Sequence, residues 1–289
     1  MELVAEFDAA LYQKLHADLA QLSPEELGVH YVAYGRREGR RANRLRNRRD
    51  FVAQIPLALA ALEIGPFAAP LLSGPNVRHC DIMDLAGLRE RATAHGLDPE
   101  QVPHIHYVLD ARALDGIPDT FEVVLGSHNI EHQPDLVAHL QQVERRLAPG
   151  GRYFLLIPDQ RYCFDRFNAP SSIADVLDAH AQRRTTHSLR SVIRHYANST
   201  HNDFMRHWSE PDATAPATSF EALSAALSDY AAAQGSYLDV HGWYFTPDSF
   251  TEIIECLGRL GELRLTRERV YATRRNANEF WAVLRKHDG

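Results

Sequence analysis

The sequence predicts an α/β chain built on an open, mostly parallel sheet of seven strands, with helices on both faces. Short apolar runs recur along the chain, and most end at a turn signal or an acid. They are Leu57 to Ile64 before Gly65-Pro66, Val77 to Cys80 before Asp81, Ile105 to Leu109 before Asp110, Phe121 to Leu125, and Tyr153 to Ile157 before Pro158-Asp159. Continuous rather than alternating apolar runs suit strands buried on both faces. Between the last two, Leu136, Val137, Leu140, Val143 and Leu147 fall on one face of a helix opened by Pro134-Asp135 and closed by Pro149-Gly150-Gly151. Strands separated by helices require crossovers, and crossovers make a parallel sheet. Towards the end, Pro247 to Leu257 reads as a helix. Leu263 to Tyr271 and Glu279 to Arg285, joined by Arg274 to Asn278, read as a closing hairpin.

Two segments lie outside this alternation. From Phe7 to about Arg41 the pattern is helical: Leu11, Leu15 and Leu19 recur every four residues, and Ser23-Pro24-Glu25-Glu26 has the form of a helix start. Gly35 and Gly39 then break the pattern. The expected organisation is a helical module with a basic linker over 1–49 and a main domain over 50–289. The main domain carries a mostly helical cap at about 160–240, too long for a simple loop.

Composition narrows the function classes. The net charge of -7 hides eight arginines between Arg36 and Arg49, with Glu38 the single acid among them. Such a run meets an anionic partner or forms a solvated helix end and linker. With no aromatic residues interleaved it does not suggest stacking on nucleic-acid bases. Cys80, Cys163 and Cys256 are odd in number and lack CxxC spacing, which fits a reducing cytoplasm and no zinc ribbon. The start of the chain has no basic and apolar leader, and no apolar run is long enough to cross a bilayer, so the expected location is cytoplasmic.

In an open parallel sheet, ligands bind beyond the carboxyl ends of the strands, where strand order reverses. Those ends carry Glu63-Ile64-Gly65-Pro66-Phe67, Asp81-Ile82, Asp110-Ala111, Ser127 to His132, and Asp159. Acids at successive strand tips can accept from ribose hydroxyls and an exocyclic amine. Asp81 stands 16 residues beyond Gly65, near the spacing of a ribose-binding acid, although it can equally cap the following helix. EIGPF has a single glycine and cannot read as GxGxxG. A dinucleotide needs backbone amides close to its pyrophosphate, whereas a sulfonium donor needs only close passage of the chain.

The segments ALEIGPF, HCDIMDL, FEVVLGSHNIEHQPDLVAHLQQVERRLAPGG and YFLLIPDQRYCFDRF resemble class I S-adenosylmethionine-dependent methyltransferases. The resemblance is greatest to a bacterial subgroup with an SHxxEH loop followed by PDxRYxFD, and DVHGWYFTPDSF and NEFWAVLRK echo it more weakly. It implies a Rossmann-like fold with S-adenosyl-L-methionine as cofactor. Glu63 and Gly65 would lie along the methionine moiety, with Pro66 and Phe67 beside them. Asp81 would hold the ribose hydroxyls next to Ile82, Asp110-Ala111 would border adenine, and Ser127-His128 would line the floor.

Methyl transfer to oxygen is an in-line displacement that must also remove the hydroxyl proton, a task suited to histidine. His128, Glu131 and His132 sit together at the end of the fourth strand. On a helical turn their spacing places them on one face, which is also a metal-ligand geometry. A related constellation binds a divalent ion in some quinone-biosynthetic methyltransferases, with more carboxylates than this chain supplies. The other reading is that Glu131-His132 caps a helix below the cofactor, and no metal is assigned. Asp159, Arg161, Tyr162 and Asp165 either bind a polyhydroxylated acceptor or form an Arg-Asp anchor for the cap. His241 either faces the acceptor or is a satisfied core histidine. His180, His187, His195, His201 and His207 have no ligand spacing and receive no role.

FDAALYQKLHADLAQLSPEELGVHYVAYGRREGR resembles a small helical module found beside glycosyltransferase and methyltransferase domains in bacterial surface-polysaccharide biosynthesis. That resemblance implies O-methylation of a sugar or glycan-linked acceptor, and a glycosyltransferase as partner of the module. Two other readings stay open: a methyltransferase-like scaffold that has lost catalysis and uses the arginine run as contact surface, and a methyltransferase of small quinone-type metabolites. The cap's lack of a dense aromatic or methionine lining disfavours the second.

Overall fold

The computed structural model describes residues 1–109 and 113–287. The N-terminal segment contributes α1 (Ala9–Leu15), α2 (Pro24–His30) and α3 (Arg48–Val52). The α/β region follows as β1 (Ala61–Ile64), β2 (Val77–Asp81), α4 (Leu85–Ala94), β3 (Tyr107–Val108), β4 (Phe121–Ser127), α5 (Leu136–Arg146) and β5 (Leu147–Pro158). The cap holds α6 (Ile173–Ala181), α7 (Leu189–Asn198), α8 (Phe204–Ser209) and α9 (Phe220–Ala233). The chain closes with α10 (Pro247–Leu260), β6 (Leu265–Tyr271) and β7 (Glu279–Lys286).

The seven strands form one sheet in the order β3-β2-β1-β4-β5-β7-β6. β1 to β5 are parallel, and β7 runs antiparallel to both β5 and β6. The sheet is Rossmann-like, and the expected closing hairpin is present. Strand order reverses between β1 and β4, which puts a crevice at their carboxyl ends.

The two faces are buried by different parts of the chain. On one face α5 and α10 cover Leu62, Val124, Leu155 and Phe280 with Leu140, Val143, Phe250 and Leu257. On the other, Val123, Phe154 and Trp281 are covered by Leu3, Leu45, Phe51 and Ile55. Phe51 is fully buried and stacks on Trp281 with ring centroids 5.5 Å apart. The N-terminal residues are therefore part of the core that stabilises the sheet. The β6–β7 loop reinforces this contact: Arg275 N–H donates to Gly39 O at 3.0 Å, and Arg274 donates to Asn43 Oδ1 at 2.6 Å.

Two local expectations need correction, and the first crossover is irregular. Leu57 is 75% exposed and β1 begins only at Ala61, because Pro56 to Leu59 forms a turn whose carbonyls are held by Asn76 Nδ2. Pro149-Gly150-Gly151 does not follow the helix as a loop but lies within β5, whose pairing with β4 starts at Leu147 and shifts register before Arg152. Residues 65–76, the crossover from β1 to β2, hold no helix. Pro66, Pro70 and Pro75 remove donors from that stretch. The buried Glu63 carboxylate takes over by accepting from Leu71 and Leu72 N–H, each at 2.9 Å.

The cap is helical, as expected, and it is fastened at its base. Tyr162 stacks on Trp208 with centroids 3.7 Å apart, and Trp208 Nε1 donates to Ala277 O at 2.8 Å. Among the described residues, no helix is long and apolar enough to cross a membrane.

Truncating Phe51 empties a site enclosed by Phe154, Tyr271 and Trp281. Phe51→Ala is expected to lower unfolding stability by about 3–5 kcal/mol in urea titration. A loss below about 1 kcal/mol would show that the N-terminal segment contributes little to the core.

Candidate active site

The carboxyl ends of β1, β2 and β4 open on a cleft of about 410 Å³, lined by Gly65, Phe67, Asp81, Ile82, Leu109, His128, Asn129, His132, Tyr237 and Asp239 among others. That size is within the range of small-molecule sites. Gly65 has φ +65, and a Cβ there would meet only Asn129 Nδ2, at 3.5 Å. The glycine is required by its left-handed backbone rather than by crowding. Phe67, at φ 44, shares that conformation and packs beside Leu88 with the Arg91 guanidinium 5.8 Å from its ring. Asp81 Oδ1 accepts from Ile82 N–H at 2.7 Å and Met83 N–H at 3.4 Å, which fixes the carboxyl at the cleft rim. The cap of α4 is Asp84, not Asp81.

His128 follows β4 at φ 49 and turns its Nε2 to within 2.9 Å of Glu279 Oε2. Glu279, at the start of β7, also accepts from Trp281 Nε1 at 2.9 Å and from the Arg48 guanidinium. Burial works against its charge, but the hydrogen bonds from His128 and Arg48 outweigh it and lower its pKa to about 2. One buried carboxylate thus joins the basic linker, the cleft loop and the last strand.

Residues 130–132 form a single 3₁₀ turn rather than a turn of α-helix. It brings the predicted trio together. Glu131 points inward with no exposure, and its Oε1 is 3.9 Å from both His128 Nδ1 and His132 Nε2. Neither carboxylate oxygen of Glu131 has a hydrogen-bond partner.

The chain returning from the cap closes over this turn. Glu131 O accepts from Gly242 N–H at 2.8 Å and Trp243 N–H at 3.2 Å, and Trp243 Nε1 donates to Gln133 O. A Cβ on Gly242 would lie 2.8 Å from two atoms of the His187 ring, so this approach requires glycine. The clamp sets the His241 ring 4.6 Å from that of His132, at 86°. His241 Nδ1 is 2.6 Å from Asp165 Oδ2, and His132 Nδ1 is 3.0 Å from Asp239 Oδ1. The His132 contact, followed by Arg91, holds the Asp239 carboxyl well below the usual carboxylate range. Burial, and then the neighbouring His241, lowers the pKa of His195 to about 4.

Other predicted positions lie apart from the cleft. Glu63 serves the crossover, Pro66 is buried beside it, and Ser127 is half-buried without lining the cavity. Asp159 is fully buried, accepting from Arg161 at 2.9 and 2.6 Å and from Thr273 Oγ1. Arg161 and Tyr162 therefore stand at the cap's base, and Asp165 lies behind His241. Asp110 and Ala111 lie outside the described residues. The site residues absent from the sequence reading are Arg91, Tyr237, Asp239 and Glu279. For Asp239 a signal existed, since it opens DVHGWYF two residues before His241.

No protein-family model matches the chain, and no curated protein matches it in sequence. Among solved structures it is similar to the mitomycin 7-O-methyltransferase MmcR, at 15% identity and a TM-score of 0.40 over 93% of this chain. It is also similar to the glycopeptide N-methyltransferase MtfA complexed with sinefungin, at 20% identity and a TM-score of 0.30 over 38% of this chain. A third is the N-methyltransferase NodS from Bradyrhizobium japonicum WM9, at 14% identity and a TM-score of 0.35 over 83% of this chain. The matched region spans 60% of the first of these proteins and 52% of the second.

Because the folded-state pKa of Glu279 is depressed from 4.5 to about 2, its stabilisation is fully present above pH 4.5 and is lost as pH falls towards 2. The group contributes on the order of 3 kcal/mol. Glu279→Gln is expected to flatten the acid limb of stability against pH between 4.5 and 2, measured by chemical denaturation. An unchanged limb would contradict this assignment.

Proposed function

We propose that the chain is an S-adenosylmethionine-dependent methyltransferase that O-methylates a hydroxyl-bearing acceptor, of sugar or glycan-linked type. The observation that carries the reading is the crevice beyond the carboxyl ends of β1, β2 and β4. It opens on a left-handed Gly65 and the fixed Asp81 carboxyl, and the β1–β2 crossover offers no helix N-terminus to a phosphate. A pyrophosphate would lack its usual amides there. A sulfonium ligand needs only an open backbone bend and acceptors for its ribose.

The donor, when bound, supplies an activated methyl group. For the chain, Gly65 lets the methionine portion pass close to the backbone, and Asp81 accepts from the ribose hydroxyls. Phe67, Ile82, Leu88 and Leu109 form the apolar wall for the adenine. His128 and His132 flank the opposite wall, where an acceptor hydroxyl must lose its proton. Asp239 holds the Nδ1 edge of His132, which leaves Nε2 as the nitrogen turned towards Glu131. The glycan half of the proposal is supported by the resemblance of residues 7–40 to a module of polysaccharide-biosynthesis enzymes.

Calorimetry with S-adenosylhomocysteine tests the cofactor. The wild-type chain is expected to bind, and Asp81→Asn to bind roughly 10- to 100-fold more weakly, the effect of removing a charged acceptor. Absence of binding by the wild-type chain at millimolar ligand would overturn the reading. With S-adenosylmethionine and panels of nucleotide sugars or phenols, mass spectrometry should show one added methyl group on the sugars. Methylation confined to phenols would favour the quinone-type alternative.

A further inference from the structure

We propose that Glu131, His132 and His241 form a binding site for one divalent transition-metal ion of the zinc class, with an open coordination position facing the cleft. One ligand atom from each of the three lies within 4.8 Å of the others. Glu131 and His132 come from the turn after β4, whereas His241 comes from the chain returning from the cap. The trio differs from the His128-Glu131-His132 set suggested by spacing, because the ligand atoms gathered within 4.8 Å of one another are those of Glu131, His132 and His241.

The first argument is the state of Glu131. Its carboxylate has no solvent exposure, and both oxygens lack a hydrogen-bond partner. Buried charges are paired or coordinate metals, and an orphan carboxylate in a well-packed site calls for a cation. The nearest candidate donors, His128 Nδ1 and His132 Nε2, are 3.9 Å away, too far for hydrogen bonds.

The second argument is independent and concerns the imidazoles. Asp165 holds His241 Nδ1 at 2.6 Å, and Asp239 faces His132 Nδ1 at 3.0 Å. A carboxylate on the far nitrogen of a ligating histidine fixes its tautomer, orients the other nitrogen and raises its basicity. Here His241 carries that support through a hydrogen bond, and His132 has the Asp239 carboxylate within ion-pair distance of the same edge. The backbone is preset as well, since Glu131 O is bonded to Gly242 and Trp243 N–H, one and two residues beyond His241. Zinc-class ions bind nitrogen and carboxylate oxygen at about 2.0–2.2 Å, so occupancy would draw the three groups together by about 1 Å.

The donor set decides the class of ion. Two imidazoles and one carboxylate suit zinc, cobalt or iron, not magnesium or calcium, which favour oxygen. Three protein ligands leave a position for a further one, as in catalytic sites. His132 is the ligand that lines the cleft, so the open position lies on that side. Metal binding here does not depend on the methyltransferase reading.

The test uses the full chain stripped with chelator and titrated with Co²⁺ and then Zn²⁺. One equivalent of Co²⁺ is expected to give a visible d–d band that Zn²⁺ bleaches and millimolar Mg²⁺ does not. Glu131→Gln and His241→Asn should each weaken Zn²⁺ binding at least 10-fold, and Asp165→Asn by roughly 10- to 100-fold. His180→Asn, whose imidazole pairs with Asp135 and is not one of the three ligands, should leave it unchanged. Should the buried variants fail to fold, zinc-edge X-ray absorption on the wild-type chain decides. A shell of two imidazoles with oxygen supports the site, and an all-oxygen or single-imidazole shell overturns it. No d–d band, or stoichiometric binding unaffected by Glu131→Gln and His241→Asn, would also overturn it. A wild-type chain that binds S-adenosylhomocysteine but no Zn²⁺ would sink this proposal alone, and one that binds Zn²⁺ but no S-adenosylhomocysteine would sink the cofactor reading alone.

Discussion

The architecture depends on how five buried carboxylates at one edge of the sheet find partners. Glu63, Glu131, Asp159, Asp165 and Glu279 are each at most 6% exposed. A carboxylate taken out of water must gain donors or cations of comparable strength, and in this fold most of those come from distant segments. Glu63 draws in the β1–β2 crossover. Glu279 draws in the arginine linker and the His128 loop. Asp159 ties Arg161 to Thr273, and Asp165 orients His241. The walls of the cleft follow from these pairings, with Glu131 alone lacking a donor within hydrogen-bond reach.

The same arrangement sets what the cleft favours. Asp81 and Asp239 face it, and the nearby guanidinium of Arg91 is paired with Asp239 at 2.9 Å. Among the described residues, a phosphate would find the Arg91 guanidinium already engaged and no helix N-terminus behind β1. A ligand with hydroxyls and positive charge meets acceptors instead. The cap's return segment adds Tyr237 and Asp239 to the cleft lining, with His241 packed against His132.

Much of the sheet was legible because buried parallel strands need continuous apolar runs, and FEVVL and YFLLI leave few alternatives. Errors arose where the same letters serve two ends. LALAALEI is apolar throughout, yet Pro56 and Asn76 fold its first half into a turn. Glu63 and Asp159 stand at strand tips, where an acid is equally a ligand for a small molecule or an anchor for the backbone. Their partners settle the matter: Leu71 and Leu72 for one, Thr273 for the other, 114 residues away. Arg48 and Glu279, 231 residues apart, were invisible to any local pattern. The SHNIEH clustering was legible because three- and four-residue spacings converge on a 3₁₀ turn as well as on an α-helix. The place of His241 was not, because it depends on the cap's return path and on Gly242, where a Cβ would lie 2.8 Å from the His187 ring.

The most direct measurement is a crystal structure of the chain with S-adenosylhomocysteine. The methionine portion is expected against Gly65, the ribose hydroxyls on Asp81, and the sulfur directed towards the His128–His132 wall. Density for the ligand elsewhere on the molecule, or a cleft that stays empty at saturating concentration in an unobstructed lattice, would contradict it.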